Sequence, residues 1–383
     1  MRSFLVICLV LWFFNDSPGD GGSDYRMWSV LNQLTVSTPI GNEIPLEFAR
    51  LFSNTIAGGF DMDMQLTRSG NKLQGYILGP GIGPGGSWVE ARIQGSIDKA
   101  GNVIAEVSTA KPIGTLRGKL TVEVGPDRIT LSLRGELKGP AHSQTVSMES
   151  TDLIVPGKGL SIVPALIYRE SLRGNYVEVI YYPQLQPANE SSARQFNRKI
   201  SSRWGNESSP DTRWEEDPTE LENTLEDSKE PPAAILTSFF NVGWELGIVR
   251  ADFISIQFRT TSHGYGAAHP VSGYFTVNYD LSIARMVDLA DLFLPDSDYV
   301  KVISDYCVAE LIALKRSDDE WVKKGAGPVE KNFRAWLVVP EGLRVLFSEY
   351  QVASYAAGTQ DVVVPVSVFK HLLKPERRGL FQP

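Results

Sequence analysis

SHGYGAAHPVSGYFTVNYD, Ser262 to Asp280, holds two of the chain's four histidines in a run of glycine and tyrosine. Its second half, GYFTVNYD, has the β-branched and aromatic alternation of a strand. Its first half is shaped by Gly264, Gly266 and Pro270. The glycines accept backbone angles that other residues avoid, and the proline biases His269 toward an extended conformation. Just upstream, SFFNVGWELGIVRADFISIQFRTTSHG (Ser238–Gly264) reads as two further strands. Together they predict a sheet that is mostly antiparallel.

Downstream, LPDSDYVKVISDYCVAELIAL (Leu294–Leu314) reads as one long helix, with Ser297 or Asp298 as its cap. RAWLVVPEGLRVLFSEY (Arg334–Tyr350) reads as a hairpin that turns at Glu341-Gly342. DVVVPVSVFKHLL (Asp361–Leu373) is a strand ended by Pro365 and followed by a helix. Upstream, NYVEVIYYPQL (Asn175–Leu185) is a strand stopped by Pro183. The following ARQFNRKISSRW places Ala193, Phe196, Ile200 and Trp204 on one helical face, for packing on a sheet. Strands and helices segregate rather than alternate, so this half is α+β. Between its elements, residues 205–232 carry ten acidic and two basic residues, a solvated excursion that buries little apolar area.

From about Thr55 to Leu137 the texture is different: short alternating strands separated by turns. LQG at 73–75, IQG at 93–95 and LRG at 116–118 and 133–135 each put an apolar residue, a polar one and a glycine in register. Glycine recurring inside alternating strands predicts an antiparallel meander that bends at the glycines, as in a small barrel or sandwich. DKAG (98–101) is a hairpin turn within it. GIGPGG (81–86) formally matches the dinucleotide fingerprint. The strand-like SWVEARIQG follows it instead of a helix, so it reads as a loop.

The expected organisation is a signal peptide or N-terminal anchor at 1–22, a β-rich barrel or sandwich at 45–140 and a linker at 141–163. A small strand-helix companion domain with the acidic loop follows at 164–232, and a C-terminal α+β domain at 233–375. A length of 383 residues calls for two or three domains. The net charge of −8 argues against nucleic acid, whose phosphates need clustered Lys and Arg. Phe4–Phe14 is about half of a membrane span, so it fits an export signal; membrane contact is expected only through this segment if it is uncleaved. No small-x-small cleavage site follows it. Of the two cysteines, Cys307 falls on an apolar stripe with Ile303, Leu311 and Leu314, the place of a buried structural thiol.

The sequence contains no H-E-x-x-H helix, no H-x-x-x-H pair and no G-x-S-x-G elbow. His263 and His269 sit six residues apart with no Asp, Glu or Cys between Ser262 and Tyr279 to complete a metal site. No metal, cofactor or catalytic set is therefore expected. The loop reads instead as a contact surface presenting Tyr265, His269 and Tyr274, side chains with apolar faces and polar tips.

The order GYGAAHP, GYFTVNYDL and VDLADLF (264–293), then WLVVPEGLRVLFSEYQVASYAAGTQDVVVP (336–365), resembles the C-terminal domain of RsiV-type proteins. These include the ectodomains of lysozyme-sensing anti-sigma factors, domains attached to some peptidoglycan deacetylases, and secreted mycobacterial antigens. YVEVIYYPQL and ARQFNRKI resemble the small domain that commonly precedes it, so the resemblance covers roughly Ala165–Leu373. It implies an extracytoplasmic, non-catalytic α+β module, likened in some relatives to a β-grasp. The ligand it implies is a lysozyme-like protein or a cell-wall glycan. The contact is expected at His263, Tyr265, His269, Tyr274, Tyr350 and Tyr355. The chain departs from the family in having Ala267-Ala268 where paired glycines are common, and neither a sigma-binding segment nor a deacetylase domain is expected in it. The competing reading is an envelope hydrolase with His269 as base or ligand and a carboxylate such as Asp280 or Glu349 as its partner.

Overall fold

Eight antiparallel strands close on themselves in the N-terminal part of the chain, as described in a computed structural model. The structure describes residues 25–29, 43–56, 60–79, 89–109, 112–139, 143–171, 176–186, 190–204, 238–264 and 267–381. A short strand, β1 (Tyr25–Ser29), comes first. The next eight are β2 (Glu47–Ile56), β3 (Phe60–Ser69), β4 (Lys72–Gly79), β5 (Val89–Ile97), β6 (Asn102–Ser108), β7 (Pro112–Val124), β8 (Arg128–Lys138) and β9 (Ser143–Val155). Each pairs with its successor, and the Ser53–Glu149 pairing of β2 with β9 closes an up-and-down barrel. Closure removes the edges at which an open meander would aggregate.

The recurrent glycines explain how the barrel closes. Directly opposed residues share a face, and Leu66 stands opposite Gly75, Gly75 opposite Ile93, and Gly118 opposite Gly135. The glycines therefore face inward, among buried Leu66, Ile93, Leu116, Leu133 and Met148. At Gly75 an added Cβ would lie 1.8 Å from the carbonyl oxygen of Gln65, and at Gly95 2.2 Å from that of Ile104. Strands coil this tightly only where the side chain is a hydrogen. One ionic group is enclosed as well. The Arg50 guanidinium donates from Nε and Nη2 to the two oxygens of Asp152, at 3.1 and 2.7 Å, with both side chains buried. Burial pushes the Asp152 carboxyl up and the adjacent Arg50 charge pulls it back.

Two expectations need correction here. The stretch 141–163 is not a linker, because β9 and the start of β10 (Leu160–Ser171) run through it. Its Ser, Thr and Glu residues made it look turn-rich; they are the outward half of an alternating strand whose inner half is Val146, Met148, Ser150 and Asp152. Pro183 does not stop β11 (Tyr176–Gln186), which continues three residues beyond it.

The C-terminal unit is layered. β12 (Ser238–Val249), β13 (Phe253–His263), β14 (Val271–Asp280) and the two-residue β15 (Arg285–Met286) form an antiparallel run, and β11 joins β12 in parallel. The helix Ser191–Trp204 lies on one face of this sheet. Its Phe196 meets Tyr279 edge to face at 5.3 Å, and Arg203 sits 4.0 Å over the Phe275 ring. Ala193, Phe196 and Ile200 are buried, as the helical pattern requires. On the other face lies a three-stranded sheet, β16 (Trp336–Val339), β17 (Gly342–Phe347) and β18 (Gln360–Pro365). The long helix Tyr299–Ala313 packs behind it, placing Ile303, Cys307 and Leu311 in one core with Val338, Val345, Val362 and Val364. Enclosure pushes the Cys307 thiol up to about 12, which leaves it an inert hydrophobe. The chain is thus mostly antiparallel β with few helices. Among the described residues no helix is long and apolar enough to cross a membrane. The stretch 1–22 expected to be a signal peptide or anchor, the GIGPGG stretch and the acidic run 205–232 lie outside the described residues.

The two sheets are joined by polar atoms at the edge of β16. Its Val338 N–H donates to Ser255 Oγ at 3.0 Å, and its Trp336 carbonyl accepts from Asn278 Nδ2 at 2.9 Å. Its Trp336 N–H reaches Thr276 Oγ1 at 3.2 Å, and Ser255 Oγ donates to Asn278 Oδ1. Gly247 admits the approach: a Cβ there would stand 2.4 Å from the Val338 carbonyl oxygen.

Two substitutions test these constraints. Gly75→Ala forces a methyl into the Gln65 carbonyl and is expected to lower barrel stability by about 1–3 kcal/mol, read by denaturant unfolding. Asn278→Ala strands the Trp336 carbonyl and is expected to cost about 1–3 kcal/mol. Denaturant titration followed by tryptophan fluorescence will measure it, since Trp336 carries the carbonyl in question.

Candidate functional site

β14 borders the three-stranded sheet's outgoing chain, and two of its outward N–H groups are taken by side chains. Ser272 N–H donates to Glu349 Oε2 at 2.8 Å, and Tyr274 N–H donates to Ser348 Oγ at 3.0 Å. Both acceptors come from the SEY triplet that follows β17. The Tyr274 hydroxyl lies 2.9 Å from Thr359 Oγ1, at the far end of the same excursion. The loop before β14 and the segment 348–359 are therefore tied together at three points.

This lacing brings His269, Tyr350 and Tyr355 into one cluster. The His269 ring stacks on Tyr355 with centroids 3.6 Å apart and planes at 18°. Its Nδ1 lies 3.0 Å from the Pro270 carbonyl oxygen and its Nε2 lies 3.3 Å from the Tyr350 hydroxyl. A carbonyl only accepts, so Nδ1 carries a proton and donates it, while Nε2 and the Tyr350 hydroxyl share the second hydrogen bond. Tyr350 itself adopts φ 65, a left-handed conformation that a tyrosine holds only when its surroundings impose it. Its ring is turned outward, 47% exposed.

The other expected contact residues fall elsewhere. His263 stacks on Phe239 at 5.8 Å and donates from Nε2 to the Ala267 carbonyl at 3.0 Å, so it clips the loop rather than joining the cluster. Tyr274 packs against Leu337 and Leu346 and belongs to the scaffold beneath the site. Tyr265 lies outside the described residues.

Both carboxylates considered as partners of His269 have other work. Asp280 ends the ten-residue β14, about 30 Å along the strand from the loop. There it accepts from Ser282 N–H at 3.0 Å and from Arg377 Nη1 at 2.6 Å. Burial alone would raise its pKa, but the hydrogen bonds from Ser282 and Arg377 outweigh it and hold the carboxyl below its usual range. Glu349 Oε2 is occupied by the Ser272 amide. Among the described residues no three His, Cys, Asp or Glu side chains gather as a metal site.

Beside the cluster, on the other side of Tyr350, is a groove of about 550 Å³ that the sequence did not announce. Trp321, Lys324, Lys331, Asn332, Tyr350 and Gln351 line it. The Trp321 indole N–H donates to the Tyr350 carbonyl at 3.1 Å, so the groove and the cluster share a residue. The only hint in the sequence is the W of DDEWVKK, and a helix of seven residues, Asp319–Gly325, is too short for periodicity to show which way it faces.

Residues 290–367 match the family described as a protein of unknown function, DUF3298, so the C-terminal part of the chain carries a DUF3298 domain. The groove, Tyr350 and Tyr355 lie within the matched residues, and His269 lies before them. The chain is also 28% identical over 138 residues to the peptidoglycan-N-acetylmuramic acid deacetylase PdaC of Bacillus subtilis strain 168. That match takes in 36% of this chain and 29% of the relative, so the chain spans less than a third of its length. Two crystal structures of DUF3298 family proteins are similar as well. The one from Bacteroides fragilis NCTC 9343 is 14% identical, with a TM-score of 0.42 over 57% of this chain and 94% of that one. The one from Pseudomonas aeruginosa PAO1 is 17% identical, with a TM-score of 0.39 over 54% of this chain and 88% of that one.

The Asp280 ion pair gives a pH prediction. A carboxyl held low in the folded state stabilises it above the unfolded value of about 4, and the benefit is lost as pH falls through the folded value. The stability difference between the native chain and Asp280→Asn, measured by thermal unfolding, is expected to be largest at neutral pH and to shrink below about pH 4.

Proposed function

We propose that the chain is an exported, non-catalytic binding protein of the cell envelope, and that the His269–Tyr350–Tyr355 cluster is its contact surface. The observation that carries this reading is the cluster itself. Three side chains from two separate segments are laced into one half-exposed aromatic patch, with one tyrosine held in a left-handed conformation to present its ring. Aromatic rings fixed by hydrogen bonds lose little conformational entropy on binding, which suits a recognition surface.

The family resemblance supplies the kind of ligand: a lysozyme-like hydrolase or a peptidoglycan strand. The relative named as a peptidoglycan deacetylase supports the envelope setting, and so does the apolar segment Phe4–Phe14. The domain at 233–375 would carry the binding, with the β-grasp comparison belonging to it.

The alternative, an envelope hydrolase using His269, is less favoured by the geometry. The His269 Nδ1 proton points at a backbone carbonyl instead of a carboxylate, so nothing there stabilises an imidazolium during proton transfer.

Calorimetric titration of the purified chain with lysozyme and with soluble peptidoglycan fragments tests the proposal. Binding to at least one is expected, weakened by about 1–2 kcal/mol in Tyr355→Ala and His269→Ala, as for contacts near the centre of an interface. Binding that both substitutions leave unchanged would remove the site; hydrolysis of the fragments abolished by His269→Ala would establish the alternative.

A further inference from the structure

The groove beyond Tyr350 has a chemistry of its own. Trp321 is 36% exposed and Tyr350 47%, and the bond from the indole N–H to the Tyr350 backbone fixes the spacing between them. Large aromatic faces left in solvent at a concave site are the usual platform for a ligand with an apolar flat side and polar edges. Around them stand Lys324 and Lys331, both exposed and neither in an ion pair among the described residues. Their neighbours differ: Lys323 is paired with Glu320 at 2.8 Å, which also neutralises the carboxylate on the groove's rim. The net charge presented inward is therefore positive, in a chain whose total is −8.

The floor is built rather than incidental. Gln351 Nε2 donates to the carbonyls of Gly325 and Asn332 at 3.1 and 2.9 Å. Asn332 Nδ2 donates to those of Lys324 and Gly327 at 3.2 and 3.0 Å. The end of the helix Asp319–Gly325 is pressed so closely on this floor that a Cβ at Gly325 would lie 1.9 Å from the Gln351 carbonyl oxygen. The groove is open to solvent along one side and offers about 550 Å³, room for the face of a ring and not for its enclosure.

We infer that this groove is a subsite for a carboxylate-bearing sugar unit, whose ring face lies on Trp321 and Tyr350 and whose carboxylate is met by Lys324 and Lys331. An acidic sugar fits all three features at once: the flat apolar face, the ring hydroxyls along a polar floor, and one negative charge for the ammonium groups. A neutral sugar leaves the lysines unused. The inference rests on the envelope-binding reading above and sharpens it toward glycan.

The test uses the full chain and three probes: the N-acetylglucosaminyl-N-acetylmuramic acid disaccharide, the neutral N,N'-diacetylchitobiose, and lysozyme. Calorimetry reports binding at low and high salt, and the tryptophan fluorescence change lost in Trp321→Ala reports the groove. The acidic disaccharide is expected to bind about tenfold or more tightly than the neutral one at low salt, and to lose that margin in salt. The double variant Lys324→Ala/Lys331→Ala is expected to abolish the margin while leaving thermal unfolding unchanged. Lys→Arg at both positions keeps it, and Trp321→Ala weakens both sugars. Equal binding of the two sugars, or a margin that survives the double alanine variant, overturns the inference. If lysozyme binds through His269 and neither sugar binds, the subsite falls and the envelope reading stands; if no probe binds, both fall.

Discussion

Asn278 holds the C-terminal unit in register. A three-stranded sheet laid on a larger one buries the outer edge of its first strand, and each unpaired N–H or C=O there costs about 1–3 kcal/mol. Asn278, Ser255 and Thr276 meet that edge with side-chain atoms at Trp336 and Val338, and Gly247 clears the space for it. Since these bonds fix where β16 lies, they also fix where its hairpin partner β17 ends. Ser348 and Glu349 then arrive at the amides of Tyr274 and Ser272 with no freedom to slip. The aromatic cluster is the next consequence. Tyr350 is the first residue past that anchor, and its left-handed turn throws the ring toward His269 on one side and its carbonyl toward Trp321 on the other.

The same lacing bears on what His269 is suited to do. With Nδ1–H given to the Pro270 carbonyl and Nε2 bonded to the Tyr350 hydroxyl, the imidazole is a hydrogen-bonded plate stacked on Tyr355. A histidine poised for proton transfer needs one nitrogen turned to the reacting group and a partner that stabilises its charged form. Here both nitrogens hold the loop in place. Asp280 would have to leave Arg377 and Ser282 to take part, and Glu349 would have to release the β14 edge.

Much of this arrangement was legible in the sequence, for physical reasons that differ between elements. The helix at 191–204 and the hairpin at 336–347 follow from periodicity and a turn residue, both local. The barrel was visible because its closing device repeats: Leu73-Gln74-Gly75 and its three counterparts each mark an inward glycine. β9 was missed because its alternation is carried by Ser, Thr and Glu against only two or three apolar residues, with an Asp whose partner, Arg50, is about a hundred residues away. His269, Tyr350 and Tyr355 were picked as candidates from aromatic, glycine-bearing runs, but nothing local says that they meet. Their contact depends on Asn278, Ser348 and Glu349, polar residues whose partners lie 58 to 77 positions away. Trp321 and the two unpaired lysines were invisible for a simpler reason: on a seven-residue helix and the turn after it, exposure is decided by what packs alongside.

What distinguishes the site from an ordinary exposed patch is how little of it can move. Binding costs the ordering of every side chain that must be immobilised, about 0.5–1.5 kcal/mol for a flexible one. Tyr355 and His269 are already stacked, Tyr350 is held by its backbone turn and its hydroxyl, and Trp321 is fixed through its indole nitrogen. Only Lys324 and Lys331 remain to be ordered, and they are the groups that a charge would recruit. If the groove binds as proposed, the fixed aromatic rings supply the contact surface and the two lysines supply the preference for a negative charge at its edge.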